Sequence, residues 1–410
     1  MRVQRTLPPA AGLLGLRDLL RGYLALISGD RALDRAAATL RADFDVEHVF
    51  LVSSGQAALA LILRALHRLR ERREVLIPAY TCFSVPAAVE RAGLSVKLAD
   101  VHPETFDFDV DALDRALDSR TLCVVAHHLL GIPSDIARVR RACECAGAFL
   151  VEDAAQAMGG QSPDGPLGTL GDVGFFSLGR GKSVTAGSGG VILTRSRDIA
   201  AALAREYDQL EKPGAATGLG ELARACAMYL FIRPWLYWIP ASLPFLRLGE
   251  THFDRDFPMR RMSPVNAGLL AGWRTRVARA NVIRARSSAR FRAALGLSSA
   301  ESPDIPYLRF PVLMASRGEC DRACAAAAIR GLGVSRMYPA PVNEIPEIRD
   351  RFAGQSFPSA KLIAERLLTL PTHSLVSDRD RRAICDLIAA SQPSSTPSTA
   401  SVEVSTGVVS

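Results

Sequence analysis

"TLCVVAHHLLGIPSDIARVRRACECAGAFLVEDAAQAMGG", residues 121–160, decides how the rest of the chain is read. "TLCVVAHH" and "AFLVED" are short apolar runs that read as strands, and "SDIARVRRACECAG" between them repeats its apolar residues at helical spacing. Strand, helix and strand in that order make a parallel crossover. Outward from it, "HVFLVSS", "EVLIPA" and "LSVKLADV" read as further strands, and "QAALALILRALHRLR" and "DVDALDRAL" as helices, so the alternation holds across residues 48–210. The pattern predicts an α/β fold with a mostly parallel sheet covered by helices on both faces. Ligands of such sheets sit beyond the carboxyl ends of the strands.

Three stretches fall at those ends. In "VSSGQAALALIL", Ser53, Ser54 and Gly55 close a strand and open a helix, where unpaired backbone N–H groups and the helix dipole suit a phosphate; ordinary N-capping by serine explains the same residues. In "FLVEDAAQAMGG" an apolar strand is expected to deliver Glu152, Asp153 and Gln156 into one crevice, at a cost unless a cation meets the carboxylate. "FFSLGRGKSVTAGSGGVILT", residues 175–194, sets Ser177 and Lys182 among five glycines that allow close backbone approach. Lys182 is one of only four lysines among 50 basic residues, and arginine cannot replace it where an amine must lose its proton and attack a carbonyl. A phosphate cradle, a buried aspartate and a loop lysine are together the parts that hold pyridoxal 5'-phosphate, with Lys182 as Schiff-base amine and proton carrier and Asp153 as the partner of the ring nitrogen.

Composition narrows the alternatives. The chain has 410 residues, 48% of them hydrophobic, which suits about two domains with a large core. The net charge of +8 is spread along helices among acids, so no nucleic-acid surface is expected and an anionic small substrate is. Eight cysteines without metal spacing read as reduced thiols in a cytoplasmic protein, with no metal site. Arg17, Asp18 and Arg21 interrupt the apolar N-terminal stretch "LPPAAGLLGLRDLLRGYLALISG", which reads as an amphipathic arm rather than a signal or a membrane span.

With these stretches the chain resembles the DegT/DnrJ/EryC1/StrS family of sugar aminotransferases, from about residue 45 to 390. The likeness is carried by "SSGQAALALIL", "EVLIPAYTCFSVPAAVERAGLSVKLADVHPETFDFD", "HHLLGIPSDI", "VEDAAQAMGG", "GDVGFFSLGRGK", "GSGGVILT", "RMSPVNAGLL", "YPAPV" and "LLTLPTHSLV". It implies a fold-type-I pyridoxal-phosphate transferase with a smaller C-terminal α+β domain. It also implies a homodimer that moves an amino group from an amino acid such as glutamate to a keto sugar, nucleotide-linked, in amino-sugar or surface-polysaccharide biosynthesis. By motif position, Ser54, Gly55 and Gln56 form the phosphate loop, Ser177 is a further phosphate ligand, Gln156 meets the ring hydroxyl, and Asp153 and Lys182 keep the roles above. Substrate contacts are expected from Arg180, His128, Arg260 and Tyr338.

The chain departs from the family at several positions. Gln56 replaces the usual threonine, Cys82 with Phe83 beside it replaces the ring-stacking aromatic, and Ser188 replaces the acid of "GEGG". "MRRMS" replaces "NYRMS", so that Met259 takes the place of an asparagine that reaches the partner's phosphate. "GRGK" in place of "HPTK" leaves Arg180 at the mouth. Sugar dehydration or elimination is the alternative chemistry, against which Lys182 argues, and a regulatory or binding homologue without turnover is the alternative class.

The expected organisation is a helical arm over 1–44, a large domain over 45–221, an aromatic, proline-broken insertion over 222–260, a small domain over 261–391 and a Ser/Thr/Pro tail over 392–410. The insertion stretch 222–253 holds two of the three tryptophans. It suits, in falling order, a subunit interface, a substrate wall or shallow membrane contact, and Pro234, Pro240 and Pro244 bar one continuous helix.

Overall fold

The computed structural model describes residues 5–391 apart from 244, 245, 247, 250 and 298–304; the expected tail over 392–410 lies outside the described residues. In chain order the first strands are β1 (His48–Val52), β2 (Glu74–Pro78), β3 (Ser95–Ala99), β4 (Thr121–His127) and β5 (Phe149–Asp153). A two-strand hairpin of β6 (Gln161–Ser162) and β7 (Gly165–Pro166) precedes β8 (Val173–Ser177) and β9 (Gly190–Thr194). The main sheet runs β1-β9-β8-β5-β4-β2-β3. Only β9 is antiparallel to its neighbours, so the carboxyl ends of β1, β4, β5 and β8 share one edge. This is the mostly parallel sheet that the alternation predicts.

The strands are apolar throughout because both faces are covered. All seven residues of β4 are buried. Cys123 and Val125 pack toward the helix Gly55–Leu69, whereas Val124 and Ala126 pack toward the helix Ile136–Ala146, as the two-residue period of a strand dictates. The helix Gly55–Leu69 is capped by Ser54, whose Oγ accepts from the N–H of Ala57 at 3.0 Å, and it is buried nearly all round. Its apolar sequence follows from that position rather than from an amphipathic stripe.

The helices Leu16–Ser28, Asp30–Phe44 and Pro264–Leu270 cover the β8–β9 end of the sheet, with Leu40, Phe44, Phe176, Val191, Val265 and Leu269 in one cluster. Met262, Trp273 and Val277 join it, so the segment after residue 261 packs with the large domain, beyond the boundary expected there. The helix Ala215–Phe231 likewise runs through the boundary expected at 221, and a turn and the short helix Trp238–Ala241 follow it. The second sheet orders β10 (Arg309–Leu313), β12 (Leu367–Pro371) and β11 (Ser335–Arg336) antiparallel, with the helices Arg317–Arg330, Pro358–Arg366 and Asp378–Ser391 around it. Among the described residues no helix is long and apolar enough to cross a membrane.

Candidate active site

The shared strand edge opens into a cavity of about 230 Å³. At one end the helix Gly55–Leu69 begins, with the N–H groups of Gly55 and Gln56 outside its hydrogen-bond ladder. A Cβ on Gly55 would lie 2.7 Å from the Cβ of Ser177. Glycine is therefore required for the end of β8 to touch the start of this helix, and the contact brings the Ser177 hydroxyl beside free backbone donors. Ser54, Gly55, Gln56 and Ser177 all line the cavity. The side chain of Gln56 turns outward, however, and donates to the carbonyl of Asp254 at 3.0 Å, which leaves its backbone as its contribution within the cavity.

At the other end the two carboxylates of β5 part company. Alternation along the strand puts Asp153 in the cavity wall and Glu152 behind it, so Glu152 does not share the crevice as the sequence reading expects. Glu152 Oε1 accepts from His128 Nε2 at 2.7 Å and from the N–H of Gly168 at 2.6 Å; Oε2 accepts from Leu170 and Gly171 at 2.6 and 3.0 Å. Burial alone would raise its pKa, but His128 and the backbone donors of Gly168 and Gly171 outweigh burial and hold it below the usual carboxylate range. Asp153 accepts only from the N–H of Ala155, at 3.0 Å, and burial pushes its carboxyl upward against the charge of Lys182. Next to it in register stands His127, whose Nε2 donates to the Phe106 carbonyl at 2.9 Å and whose Nδ1 accepts from Thr81 Oγ1 at 3.2 Å. His127 and Thr81 line the cavity and are absent from the sequence reading; the doubled histidine at the end of β4 is the signal that could have found the first.

Lys182 reaches the same cavity from the loop after β8 and forms no ion pair among the described residues. Residues of the N-terminal arm press on that loop: a Cβ on Gly12 would lie 2.9 Å from the Lys182 carbonyl. Gln156 is fixed at both ends of its amide, Oε1 accepting from the N–H of Leu130 at 3.1 Å and Nε2 donating to the Tyr338 hydroxyl at 2.9 Å. Tyr338 thereby enters the cavity wall from the small domain with its own proton free to be donated.

Residues 23–218 match the DegT/DnrJ/EryC1/StrS aminotransferase family. That match takes in just under half of the chain. The chain is 30% identical to GDP-perosamine synthase of Vibrio cholerae over 169 residues, covering 41% of this chain and 46% of that one. With L-glutamine:2-deoxy-scyllo-inosose aminotransferase of Streptomyces kanamyceticus it shares 32% over 212 residues, 50% of this chain and 48% of that one. The chain thus spans about half the length of the curated relatives it matches. The fold likeness extends further: the putative sugar aminotransferase Spr1654 from Streptococcus pneumoniae, in its PLP-form, superposes with a TM-score of 0.72 over 94% of this chain and 98% of that one at 19% identity.

Several departures from the DegT/DnrJ/EryC1/StrS pattern have a spatial explanation. Ser188 stands where the family has an acid, and Glu221 from the helix Ala215–Phe231 sets its Oε2 3.2 Å from the Ser188 hydroxyl and 3.3 Å from Asn266 Nδ2. A carboxylate is thus restored to that place from 33 residues further along the chain. Cys82 lines the cavity, with its Sγ accepting from Ser84 Oγ at 3.0 Å and lying 3.4 Å from Thr251 Oγ1, while Phe83 is turned into the core. Met259 packs against the main core.

Of the expected substrate contacts, Tyr338 lines the cavity, and Arg180 is exposed outside the lining, near the phenol of Tyr237. His128 is a correction. Its Nδ1 accepts from the N–H of Ser134 at 3.0 Å and its Nε2 is bonded to Glu152, so neither nitrogen is left for a substrate. Arg260 is another: its backbone pairs with Ser53, but its side chain turns away to Glu211, Nε to Oε2 at 2.9 Å. The side chain of Arg261 goes to Asp208 and the face of Tyr207.

The Glu152 geometry sets a stability test. Glu152→Ala is expected to cost about 3 kcal/mol at pH 7 by urea unfolding, because it strands three backbone donors and the His128 N–H. Since the folded pKa of Glu152 lies below its ordinary 4.5, its contribution is complete above that pH and fades as the pH falls through the folded value; the gap between parent and variant narrows accordingly in acid. His128→Ala should lower stability by about 2 kcal/mol. A changed substrate KM at unchanged stability would return His128 to the list of substrate contacts.

Proposed function

We propose that the protein is a pyridoxal-phosphate-dependent aminotransferase that moves an amino group from an amino acid, such as glutamate, to a nucleotide-linked keto sugar. The observation that carries this is a mismatch of charge: a buried Asp153 carboxylate and a Lys182 amine, neither in an ion pair among the described residues, lie across one cavity whose far end offers helix N–H groups. The residues fit the cofactor. Gly55 lets the Ser177 hydroxyl approach the start of the helix, the Gly55 and Gln56 N–H groups with Ser54 and Ser177 would supply donors to a phosphate, and a protonated ring nitrogen would supply the cation that Asp153 lacks.

When bound, pyridoxal phosphate offers an aldehyde that condenses with amines and a ring that withdraws electrons from the amino-bearing carbon. Asp153, its carboxylate oriented by the Ala155 N–H, would hold a proton on the ring nitrogen. Lys182 Nζ would hold the cofactor through its aldehyde carbon and, when free, would carry the proton that leaves the donor's α-carbon. Gln156, pinned by Leu130 and Tyr338, keeps one amide N–H that would serve the ring hydroxyl.

The Vibrio relative's name, a synthase of GDP-perosamine, supports a nucleotide-linked acceptor, and the Streptomyces relative's name supports a second reading with L-glutamine as donor and a carbocyclic ketone as acceptor. A homodimer and a cytoplasmic location belong to the proposal. Leu16, Leu20, Tyr23, Leu24 and Ile27 form one exposed stripe on the helix Leu16–Ser28, with Ile27 at 71% and the nearby insertion's Trp235 at 72% exposure; a second copy of the chain would cover such a face. The end of the insertion already touches the cavity residues Cys82 and Gln56 through Thr251 and Asp254.

Three results test this reading. Purified protein should absorb visibly with bound cofactor, and borohydride should fix that cofactor to the peptide carrying Lys182; Lys182→Ala should abolish both the fixation and transamination while the far-ultraviolet circular dichroism stays unchanged. Cofactor still fixed in that variant removes Lys182 from its role. Asp153→Ala should retain fixation but lose at least about a hundredfold in kcat, and near-normal turnover would exclude Asp153. The double change Leu20→Asp with Leu24→Asp should halve the sedimenting mass; a parent that is already monomeric defeats the dimer.

A further inference from the structure

Two thiols of the small domain stand one helical turn apart. The helix Arg317–Arg330 carries Cys320, fully buried, and Cys324, half-buried, on the face packed into the main core; residues four apart share a face. The sequence reading treats both, with the other cysteines, as reduced thiols without a role. Cys324 Sγ accepts two hydrogen bonds, one from the Cys320 thiol and one from the backbone N–H of Arg336 in β11. The guanidinium of Arg336 reaches back to the same helix, with Nη2 at 2.6 Å from Asp321 Oδ1.

Burial and the Asp321 carboxylate oppose ionisation of Cys324. The Cys320 hydrogen bond and the charge and N–H of Arg336 outweigh them and hold this thiol below its usual range, and Arg309 also faces it. The same thiol–thiol bond, together with burial, pushes Cys320 well above that range. The pair is thereby divided into a nucleophile and a neighbouring thiol that keeps its proton. Elsewhere burial pushes Cys123 and Cys143 upward, and Cys145 and Cys226 stand exposed on the surface.

We propose that Cys324 is a site of reversible oxidation by hydroperoxides, with Cys320 as the thiol that resolves it. The Cys324 thiolate attacks one peroxide oxygen, the O–O bond breaks, and the other oxygen leaves as hydroxide or alkoxide and takes a proton from water. Cys324 then carries a sulfenic acid. With the thiolate gone, Cys320 is no longer held in its protonated form; its sulfur displaces the sulfenic oxygen, which departs as water with the thiol's proton, and a disulfide closes. Two thiols are oxidised and one peroxide is reduced. Successive helical turns hold Cβ atoms about 5–6 Å apart, whereas a disulfide needs them about 4 Å apart. Closure therefore tightens the turn, withdraws Cys324 Sγ from the Arg336 N–H and leaves a bond that thiols readily reduce. Two residues after Arg336 comes Tyr338 in the cavity wall, and Cys320 lies close enough to act on the phenol of Tyr80, whose hydroxyl accepts from the Tyr338 N–H at 3.2 Å. Oxidation of the pair thus reaches the cavity.

Hydrogen peroxide added to the reduced full-length protein tests this by mass spectrometry. Trypsin cuts after Arg322, between the two thiols, so a closed disulfide joins two peptides that otherwise separate. The joined species should form at least about tenfold faster than Cys145 or Cys226 is oxidised, and dithiothreitol should reverse it. Cys320→Ser retains a hydroxyl donor but cannot resolve, so dimedone should label Cys324 there with no joined peptides; Cys324→Ser should leave Cys320 a thiol. Should either serine variant fail to fold, iodoacetamide on the parent carries the comparison, with Cys324 alkylated at least about tenfold faster than Cys226 at pH 7. Equal alkylation rates, or a Cys324 that stays reduced while Cys145 and Cys226 oxidise, overturn the site. A parent that accumulates sulfenic acid without joined peptides overturns the role of Cys320. The near-ultraviolet circular dichroism of the parent, to which the Tyr80–Tyr338 pair contributes, should shift on oxidation and return on reduction; an unchanged signal overturns the link to the cavity.

Discussion

The contact between Gly55 and Ser177 is the constraint on which the rest of the site depends. Any side chain at 55 would collide with the end of β8, so the first turn of a buried helix and a strand two places away in the sheet order from β1 are held together only by the absence of a Cβ. That helix is apolar nearly all round and cannot slide without unpacking the core between sheet and helices. Its free N–H groups are therefore fixed in space relative to Ser177, and through β8 and β5 relative to Asp153. Lys182 completes the arrangement because it follows β8 by a short loop.

Charge separates the groups that maintain the fold from those left for a ligand. Glu152, as deeply buried as any residue in the chain, is met by four hydrogen bonds and needs nothing more. Asp153, one residue on, has a single backbone bond. Among the described residues Lys182 forms no ion pair. Unpaired buried charge lowers stability, and proteins retain it where a bound partner supplies the missing half. The same criterion moves His128 and Arg260 out of the site, since each is already matched by a carboxylate in the chain.

Much of this was legible in the sequence, for physical reasons that differ by residue. The parallel sheet was readable because strands covered on both faces must be apolar at every position, and β4 is. Ser177 and Asp153 were readable because each ends a strand, and Lys182 because it follows one by a short loop, so topology carries all three to the common edge. The opposite facing of Glu152 and Asp153 was also available, in the two-residue period of "FLVED", but a fully apolar strand gives no contrast by which to see which face is which. Other features had no local signal. Glu221 replaces the missing acid at 188 across 33 residues, and the segment after 261 packs on the N-terminal helices because its apolar stripe must be covered, a stripe that does not say by what.

The N-terminal arm was the least legible part, because its attachments are made by backbone atoms. The N–H of Thr6 donates to the Pro234 carbonyl and that of Leu7 to Gly331, each at 2.8 Å, while the Pro8 carbonyl takes the proton of His373. Farther on, Gly12 lies against Lys182, close enough that a side chain there would strike its carbonyl. One extended strand of chain thus joins the insertion, the small domain and the lysine loop, and backbone hydrogen bonds of this kind carry no residue code. The Arg5–Asp380 pair fastens its outer end to the small domain. Tyr338 and His373 belong to the small domain, Tyr237 to the insertion and Lys182 to the large domain, so the arm connects the parts that surround the cavity. A strap so placed keeps the small domain and the lysine loop in fixed relation, which is what groups acting together on one small substrate require.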